Sequence, residues 1–187
     1  MFVRSWMSSP AVVLLAETPL PDAIRFMEGK RIHRVGVVAR RGLLGLVSSA
    51  DLYRLLATSD PWKSSAGKTL GDTVIPSAIA ATEDLPVERA AEMMVMNHAS
   101  ALPVLTDGRL VGVISSSDIL RAFAYVMGVC EGGARLCLTS LDTGDLLDEI
   151  RARSCGLTIR SLVACPNPSG GREVVMRVRG RVAASVA

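Results

Sequence analysis

Apolar and polar residues follow the same order twice along the first two-thirds of the chain. Each copy contains a stripe of apolar residues at positions i, i+3, i+4 and i+7, which is typical of a helix with one buried face. The stripes are Leu20, Ala23, Ile24, Met27 and Val87, Ala90, Ala91, Met94. Pro19 and Pro86 stand where these helices begin, a position at which proline is tolerated.

Two short apolar runs and another helical segment follow each stripe. The runs cover residues 35–38 and 43–47 in the first copy, and 102–105 and 110–114 in the second. Asp107-Gly108, between the second pair of runs, is a strong hairpin signal. A further helix is predicted over 51–57 and 118–126, and an initial strand near 11–15 and 78–81. Each copy is therefore predicted to be a β-α-β-β-α unit.

The two units are copies of one another. A shift of 67 residues aligns residues 3–56 with 70–123 without a gap, and eleven aligned pairs are identical. We assign the repeats to residues 1–57 and 69–127, joined by a linker over 58–68 that is rich in Ser, Gly and Lys. Because one unit is too small to cover both faces of its sheet, we expect the two to pack about a pseudo-twofold axis. The cleft between them is the natural ligand site.

Residues 133–187 lie outside the repeat and predict a small C-terminal α/β domain. Strands are predicted over 135–139, 157–164 and 173–178, a helix over 142–154 and a turn over 166–171. The fold class is therefore α+β, with two β-α-β-β-α repeats followed by this domain.

Composition argues against several classes of function. The chain has 187 residues, 49% of them hydrophobic, and a formal charge of +3, and its basic residues are spread rather than grouped as nucleic-acid binding requires. The apolar runs are too short for a membrane span, which needs about 20 residues. The four cysteines lack the spacing of a zinc site, so we expect reduced thiols, a cytoplasmic location and no metal.

A repeated Ser-x-x-Asp sequence carries the clearest chemistry. Ser48 and Asp51 follow an apolar strand and open a helix, and Ser115 and Asp118 do the same. Such a sequence is by itself a helix-capping box that needs no ligand. The same groups also suit a nucleotide, since a carboxylate accepts hydrogen bonds from both ribose hydroxyls, while serine hydroxyls and helix N–H groups suit a phosphate.

The repeats resemble the cystathionine β-synthase (CBS) domain family over about residues 1–125. Gly45-Leu-Val-Ser48-Ser-Ala-Asp51 and Gly112-Val-Ile-Ser115-Ser-Ser-Asp118 are similar to the family motif, which is Gly, two apolar residues, Ser or Thr, two variable residues and Asp. Residues 100–104 look like the family's strand entering the hairpin. Residues 31–35 are similar to a phosphate-contacting stretch in the γ subunits of AMP-activated kinase.

The resemblance implies an adenine nucleotide (AMP, ADP or ATP) as the ligand. Asp51 and Asp118 would hold riboses. Ser115 and Ser117 would donate to phosphate in the second motif, whereas Ala50 replaces the matching hydroxyl in the first. The site that contains Ser48 and Asp51 is thus poorer in donors, and we expect two unequal sites.

Other residues of these sites are also implied by the resemblance. His33 and Arg34 are expected to add phosphate donors to the first site, because arginine offers a planar fork for phosphate oxygens. The alternative for Arg34 is a solvated arginine at a strand end. Ile32, Ala99 and Ser100 occupy positions that hold adenine in the family.

The C-terminal segment is similar to the first part of an ACT domain, a small amino-acid-sensing fold of the ferredoxin-like type. Asp142-Thr-Gly144-Asp-Leu146 and Cys155-Gly-Leu-Thr-Ile159 carry this resemblance, and a CBS pair followed by ACT is the arrangement of the acetoin-utilisation protein B family. Too few residues follow Gly180 for the second helix and fourth strand, so either the module is incomplete or another subunit completes its sheet. Asp142 and Gly144 also suit a cap and a turn without a ligand.

We therefore expect a regulatory nucleotide-binding module (a Bateman module) and not an enzyme. His33 and His98 belong to no recognisable catalytic set, and no P-loop or Gly-x-Gly-x-x-Gly occurs. The expected partners are a second copy, giving a homodimer, and a regulated protein of unknown identity. The alternatives are a dimerisation scaffold without ligand and an amino-acid sensor that acts through the C-terminal domain.

Overall fold

The computed structural model describes residues 1–57, 67–74, 79–140, 148, 150–151, 156–168 and 170–180. The chain forms two compact units, residues 1–119 and 120–187. Most of the predicted linker over 58–68 lies outside the described residues. Within the described ranges, no helix has the length and apolar character needed to cross a membrane.

The first unit contains both repeats, and its element order confirms the predicted mixed α+β architecture. The first repeat comprises β1 (Val13–Leu15), α1 (Leu20–Lys30), β2 (Arg34–Ala39), β3 (Gly42–Ser48) and α2 (Ser49–Ala57). The second comprises α3 (Val87–Met96), β4 (Ala101–Thr106), β5 (Arg109–Ser115) and α4 (Ser116–Val126), whose last residues belong to the second unit. The first strand predicted for the second copy is reduced, among the described residues, to a bridge between Ala81 and Val104.

The apolar stripes face the core as predicted. In α1 the buried side chains are Leu20, Ala23 and Met27, and in α3 they are Val87, Ala90 and Met94. Pro19 precedes the first turn of α1, where the absence of its N–H costs no helical hydrogen bond. Burial of one face in this way supplies most of the stability of such short helices.

The two repeats have sheets with the same local irregularity. β1 pairs with β2 in parallel, and β2 pairs with β3 in an antiparallel hairpin. In the second repeat β4 pairs with β5 in the same antiparallel way. The register shifts after Val37 in β2 and after Val104 in β4, which are equivalent positions. This irregularity in strand pairing therefore occurs in both repeats.

The first segment of each repeat crosses to the other repeat. The backbone N–H of Val3 donates to the carbonyl of Leu85, and that of Leu70 donates to the carbonyl of Thr18, both over 2.9 Å. The two hydrogen bonds are equivalent, because Leu70 lies 67 residues after Val3 and Leu85 lies 67 residues after Thr18. Val3 accordingly lies in the core of the second repeat and Leu70 in the core of the first, and both are fully buried.

Glycine at position 112 allows this exchanged segment to approach β5. Ser8 and Val113 exchange two backbone hydrogen bonds of 2.9 and 3.0 Å. A Cβ atom on Gly112 would lie 2.9 Å from the carbonyl oxygen of Ser8, closer than side chains tolerate. The glycine of the second motif therefore has a packing role in addition to its place in the motif.

The second unit contains a three-stranded antiparallel sheet. Its strands are β6 (Ala134–Ser140), β7 (Thr158–Pro166) and β8 (Arg172–Arg179), in the order β6-β8-β7. All three were predicted, and the central place of β8 matches a split β-α-β arrangement. The core consists of Leu138, Ile150, Val174, Met176 and Val178.

The helix predicted between β6 and β7 is described only in part. Residues 148, 150 and 151 are helical, and the rest of the range 142–154 lies outside the described residues. Asp142 and Gly144, which carried part of the ACT resemblance, lie outside the described residues.

Candidate functional site

A cavity of about 320 Å³ lies between the two repeats of the first unit. Its walls come from three parts of the chain: the N-terminal segment, the turn between α1 and β2, and the junction of β5 with α4. The apolar part of the lining is Pro10, Ala11, Val12, Ile32 and Val113. The polar part is Ser8, Arg31, His33, Arg34, Ser115, Ser117 and Asp118. A cavity that combines apolar contact with convergent polar groups is typical of a small-molecule site.

The second Ser-x-x-Asp motif places a buried carboxylate at the cavity. Asp118 is the third residue of α4, and only 5% of it is exposed. Its Oδ2 accepts hydrogen bonds from the backbone N–H of Ser115 over 2.7 Å and from the Ser115 hydroxyl over 2.6 Å. The bond from the Ser115 N–H is the carboxylate half of a capping box. Both of the hydrogen bonds from Ser115 go to Oδ2, one of the two oxygens of the carboxylate.

The opposite wall is basic. Arg31, His33 and Arg34 all line the cavity, and they come from one short turn that ends α1 and begins β2. Nη2 of Arg34 donates to the hydroxyl Oγ of Ser100 in the second repeat over 3.1 Å. The cavity therefore has cationic donors on one side and the N-terminus of α4, with its positive dipole end, on the other. Such a combination favours an anionic group in the ligand.

The structure groups the predicted residues differently from the sequence analysis. His33, Arg34 and Ile32 belong to the first repeat, and the sequence analysis assigned His33 and Arg34 to the first Ser-x-x-Asp motif. In the structure all three line the same cavity as Ser115, Ser117 and Asp118 of the second repeat. The cause is the pseudo-twofold packing, which brings the α1–β2 turn of one repeat opposite the motif of the other.

The first Ser-x-x-Asp motif forms a capping box outside this cavity. Oδ2 of Asp51 accepts from the backbone N–H of Ser48 over 3.2 Å and from its hydroxyl over 2.5 Å, and the N–H of Asp51 donates back to Ser48 Oγ over 3.1 Å. Nη1 of Arg54 lies 3.5 Å from Asp51 Oδ1. The Asp51 side chain is 54% exposed, in contrast to the buried Asp118.

Ala99 and Ser100 likewise do not line the cavity that contains Asp118. They are the equivalents of Ile32 and His33 and would belong to a twofold-related cleft with Ser48 and Asp51. Residues 75–78, the equivalents of 8–11, lie outside the described residues. The ligand-binding role of Ala99, Ser100, Ser48 and Asp51 therefore stays a prediction.

Sequence reasoning missed six of the lining residues, namely Ser8, Pro10, Ala11, Val12, Arg31 and Val113. Arg31 had a signal, because it belongs to the stretch that resembles a phosphate-contacting segment. The other five had no such signal. Ser8 and Ala11, for example, are held at the cavity by backbone hydrogen bonds to Val113 and Val111 of the second repeat. Across the described ranges, no cluster of three or more His, Cys, Asp or Glu side chains offers a metal site.

Two repeats that share the order α-β-β-α and face each other across a cleft define a paired α+β module. The CBS domain family matches residues 3–58 and 70–125, more than half of the chain, and the chain belongs to this family. A pair of CBS domains is typically a regulatory unit. The family match ends at residue 125, so an ACT-type domain after it stays a prediction.

Among known proteins, the chain is similar to L-aspartate semialdehyde sulfurtransferase from Methanocaldococcus jannaschii. The two are 28% identical over 123 residues, which cover 65% of this chain and 23% of the relative. The chain spans 20% to 47% of the length of three curated relatives that it matches. Relatives with enzyme names therefore share a CBS region with this chain and not their full length.

Three solved structures are similar in fold. The CBS domain pair of MJ0100, in complex with 5′-methylthioadenosine and S-adenosyl-L-methionine, has a TM-score of 0.59 and 27% identity, covering 67% of this chain and 97% of that one. CBSX2 in complex with AMP has a TM-score of 0.56 and 26% identity, with the same coverage. The acetoin utilization protein AcuB from Vibrio cholerae has a TM-score of 0.60 and 25% identity, covering 71% and 98%.

Proposed function

We propose that the cavity between the repeats binds an adenine nucleotide, AMP, ADP or ATP, and that the chain is a regulatory module and not an enzyme. One observation carries this proposal: a buried carboxylate, Asp118, and a basic wall that includes Arg34 face the same cavity. In a nucleotide, the ribose would bind the carboxylate and the phosphate would bind the basic wall.

The lining suits each part of such a ligand. Asp118 accepts hydrogen bonds from the ribose hydroxyls, and Ser117, beside the positive dipole end of α4, donates to phosphate. His33 and Arg34 supply charge-assisted donors from the other side. Ala11, Val12 and Ile32 offer apolar contact for the adenine ring. Two similar structures, of the MJ0100 CBS pair and of CBSX2, hold adenosine compounds, which supports this class of ligand.

Regulation would follow from the place of the cavity between two repeats. A ligand that contacts both repeats binds best at one relative position of the two, and its binding shifts the population toward that position. A partner protein that contacts both repeats would then sense the nucleotide. The contribution of Arg34 to both the cavity and the second repeat supports this coupling.

The test is calorimetric titration with AMP, ADP and ATP. It is carried out on the purified wild type and on two matched variants, Asp118→Ala and Asp51→Ala. Both variants remove the carboxylate of a Ser-x-x-Asp motif, and only Asp118 lines the cavity. Loss of a charge-assisted hydrogen bond of about 1.5–3 kcal/mol lowers affinity at least about tenfold. We expect this for Asp118→Ala and a much smaller change for Asp51→Ala.

Two results would contradict the proposal. No binding of any adenine nucleotide by the wild type favours a dimerisation scaffold without ligand, and equal affinities of wild type and Asp118→Ala exclude the ribose role. Turnover of the nucleotide during long incubation would favour an enzyme. Circular dichroism of each variant shows whether it is folded at the temperature of titration.

The expected homodimer has support from exposed apolar side chains of α4. Leu120 is 67%, Phe123 61% and Tyr125 63% exposed. Apolar groups of this size on adjacent turns are a candidate for self-association. Sedimentation of the wild type and of Phe123→Glu tests this self-association. We expect the wild type to be a dimer and Phe123→Glu to be a monomer. A monomeric wild type would exclude the homodimer.

A further inference from the structure

The sheet of the second unit brings arginines from distant parts of the chain together on one face. The core residues of its central strand, β8, are Val174, Met176 and Val178. Because successive side chains of a strand alternate, Arg177 and Arg179 point to the opposite face. Arg135 of β6 is the register partner of Arg177 and lies on that same face. Three arginines that are spread along the sequence therefore become neighbours.

The three positive charges lie close to one another. Side chains directly opposite in neighbouring strands have Cβ atoms about 4.5–5.5 Å apart, and diagonal neighbours are about 7–8 Å apart. Like charges at such positions repel and lower stability. The ion pairs formed within the described part of the chain include none of Arg135, Arg177 and Arg179. The cluster thus has no carboxylate partner among the described residues.

The composition of the sheet explains why no partner is near. The strands β6, β7 and β8 contain five arginines and a single carboxylate, Glu173. Glu173 is four residues from Arg177 in β8, which is about 13 Å at 3.3 Å per residue. Its charge therefore lies at the other end of the sheet from the cluster.

The side chain of Arg177 is partly enclosed. It is half-buried, and a Cβ atom on Gly128 would lie 3.4 Å from the Cβ atom of Arg177. Nη1 donates a long hydrogen bond of 3.4 Å to the carbonyl of Gly133. Nε is buried and has no hydrogen-bond partner among the described residues. Since a buried donor without a partner lowers stability, packing by itself does not explain an arginine at this position.

Two hydroxyl groups border the arginines. Ser161 of β7 is the register partner of Arg177, and Thr158 is that of Arg179. Both side chains therefore lie on the face of the arginine cluster. A hydroxyl can donate to an oxyanion, and a guanidinium offers a planar fork of donors for its oxygens. This end of the face combines three cations with two hydroxyl donors.

We propose that this face of the second unit binds a small oxyanion of the phosphate class, with Arg135, Arg177 and Arg179 as its cationic contacts. A phosphate group matches the donors because its oxygens accept several charge-assisted hydrogen bonds at once. Its negative charge also offsets the mutual repulsion of the arginines. None of these residues lines the cavity between the repeats, so the proposal concerns a second site and does not depend on the nucleotide.

The test is an NMR titration of the isotopically labelled full chain with inorganic phosphate. Chloride is exchanged for phosphate at constant ionic strength, which keeps general screening of charge unchanged. We expect the amide resonances of Arg135, Ser161 and Arg177 to shift and to reach saturation. Arg135→Gln and Arg177→Gln should each lower the phosphate affinity about tenfold or more, because each removes a charge-assisted donor. Arg135 is exposed, so its replacement leaves the core of the sheet intact.

Arg172→Gln is the matched control. Arg172 belongs to the same strand and is exposed, but it lies at the other end of β8 and on the other face. Its replacement removes the same charge and should change the phosphate affinity less than about twofold. Arg34→Ala removes a cation from the cavity between the repeats and should leave the shifts of Arg135, Ser161 and Arg177 unchanged.

Thermal unfolding separates a ligand contact from a structural role. In chloride alone Arg135→Gln should not lower the Tm, because it removes a like-charge contact. Phosphate should raise the Tm of the wild type more than that of Arg135→Gln, since a ligand stabilises the state that binds it. An arginine with only a structural role would lower the Tm when replaced and leave the effect of phosphate unchanged.

Three results would overturn the proposal. Shifts that grow with phosphate concentration and never saturate would indicate no site. An equal loss of affinity in Arg172→Gln would show a general effect of charge. Shifts that disappear in Arg34→Ala would place the phosphate in the cavity between the repeats.

Discussion

The guanidinium of Arg34, in the first repeat, donates a hydrogen bond from Nη2 to the hydroxyl Oγ of Ser100 in the second repeat over 3.1 Å. Ser100 is the equivalent of His33, the residue before Arg34. Arg34 also lines the cavity between the repeats. One side chain therefore takes part both in the contact between the repeats and in the candidate ligand site.

This dual position predicts unequal effects of two substitutions. Arg34→Ala should lower the affinity for AMP about tenfold or more, because it removes a charged phosphate donor. Ser100→Ala should lower it less than about threefold, because a hydrogen bond between exposed groups contributes only about 0.5–1.5 kcal/mol and Arg34 keeps its charge. Calorimetric titration measures both. A loss in Ser100→Ala as large as in Arg34→Ala would show that Ser100 itself contacts the ligand.

The carboxylates of the two Ser-x-x-Asp motifs should differ in their contribution to stability. Asp118→Ala should lower the free energy of unfolding by about 1–2 kcal/mol, because it leaves the N–H of Ser115 without its acceptor at a buried site. Asp51→Ala should cost about 0.5–1 kcal/mol, because Asp51 is exposed and water can replace its carboxylate. Urea unfolding without ligand tests the order of the two values, and the reverse order would contradict this assignment.

The exchange of first segments predicts where a core substitution acts. Leu70 belongs in sequence to the second repeat and is fully buried in the core of the first. Leu70→Ala should lower the free energy of unfolding by about 2–5 kcal/mol. Hydrogen exchange should increase first in β1 to β3 and less in β4 and β5. Val3→Ala should give the opposite distribution, and increased exchange within each residue's own repeat would show that the segments are not exchanged.

Acid should weaken the cap that holds the exchanged segment of the second repeat. Asp72 has a pKa below its ordinary value of 3.8, because the backbone N–H of Thr69 and then the Thr69 hydroxyl donate to its carboxylate. A lowered pKa in the folded state means that this contribution to stability is present above about pH 4 and is lost as the pH falls through the folded-state pKa.

Asp72→Asn tests that expectation. The variant should be less stable than the wild type at pH 6, and the difference should shrink between about pH 4 and pH 2, where the wild-type carboxylate takes up a proton. Thermal unfolding over this range measures it. A difference that stays constant with pH would show that the carboxylate charge does not contribute.

Much of the fold follows from local pattern. The helical stripe of Leu20, Ala23 and Met27 predicts which face of α1 is buried, and its repetition after 67 residues indicates that the unit occurs twice. The Ser-x-x-Asp sequences likewise determine where α2 and α4 begin, because capping involves only residues three apart. These features need no information from distant parts of the chain.

The partners of each buried face and of each site residue were decided by tertiary structure. Two similar repeats offer similar surfaces, so local pattern cannot state whether Leu70 packs in its own repeat or in the other. For the same reason it could not state whether His33 and Arg34 face Asp51 or Asp118. The sequence by itself determined the elements, their repetition and the chemistry of the motifs. Only the packing of one repeat against the other brought the basic turn of the first to the buried carboxylate of the second, because that choice depends on the complementarity of two whole surfaces.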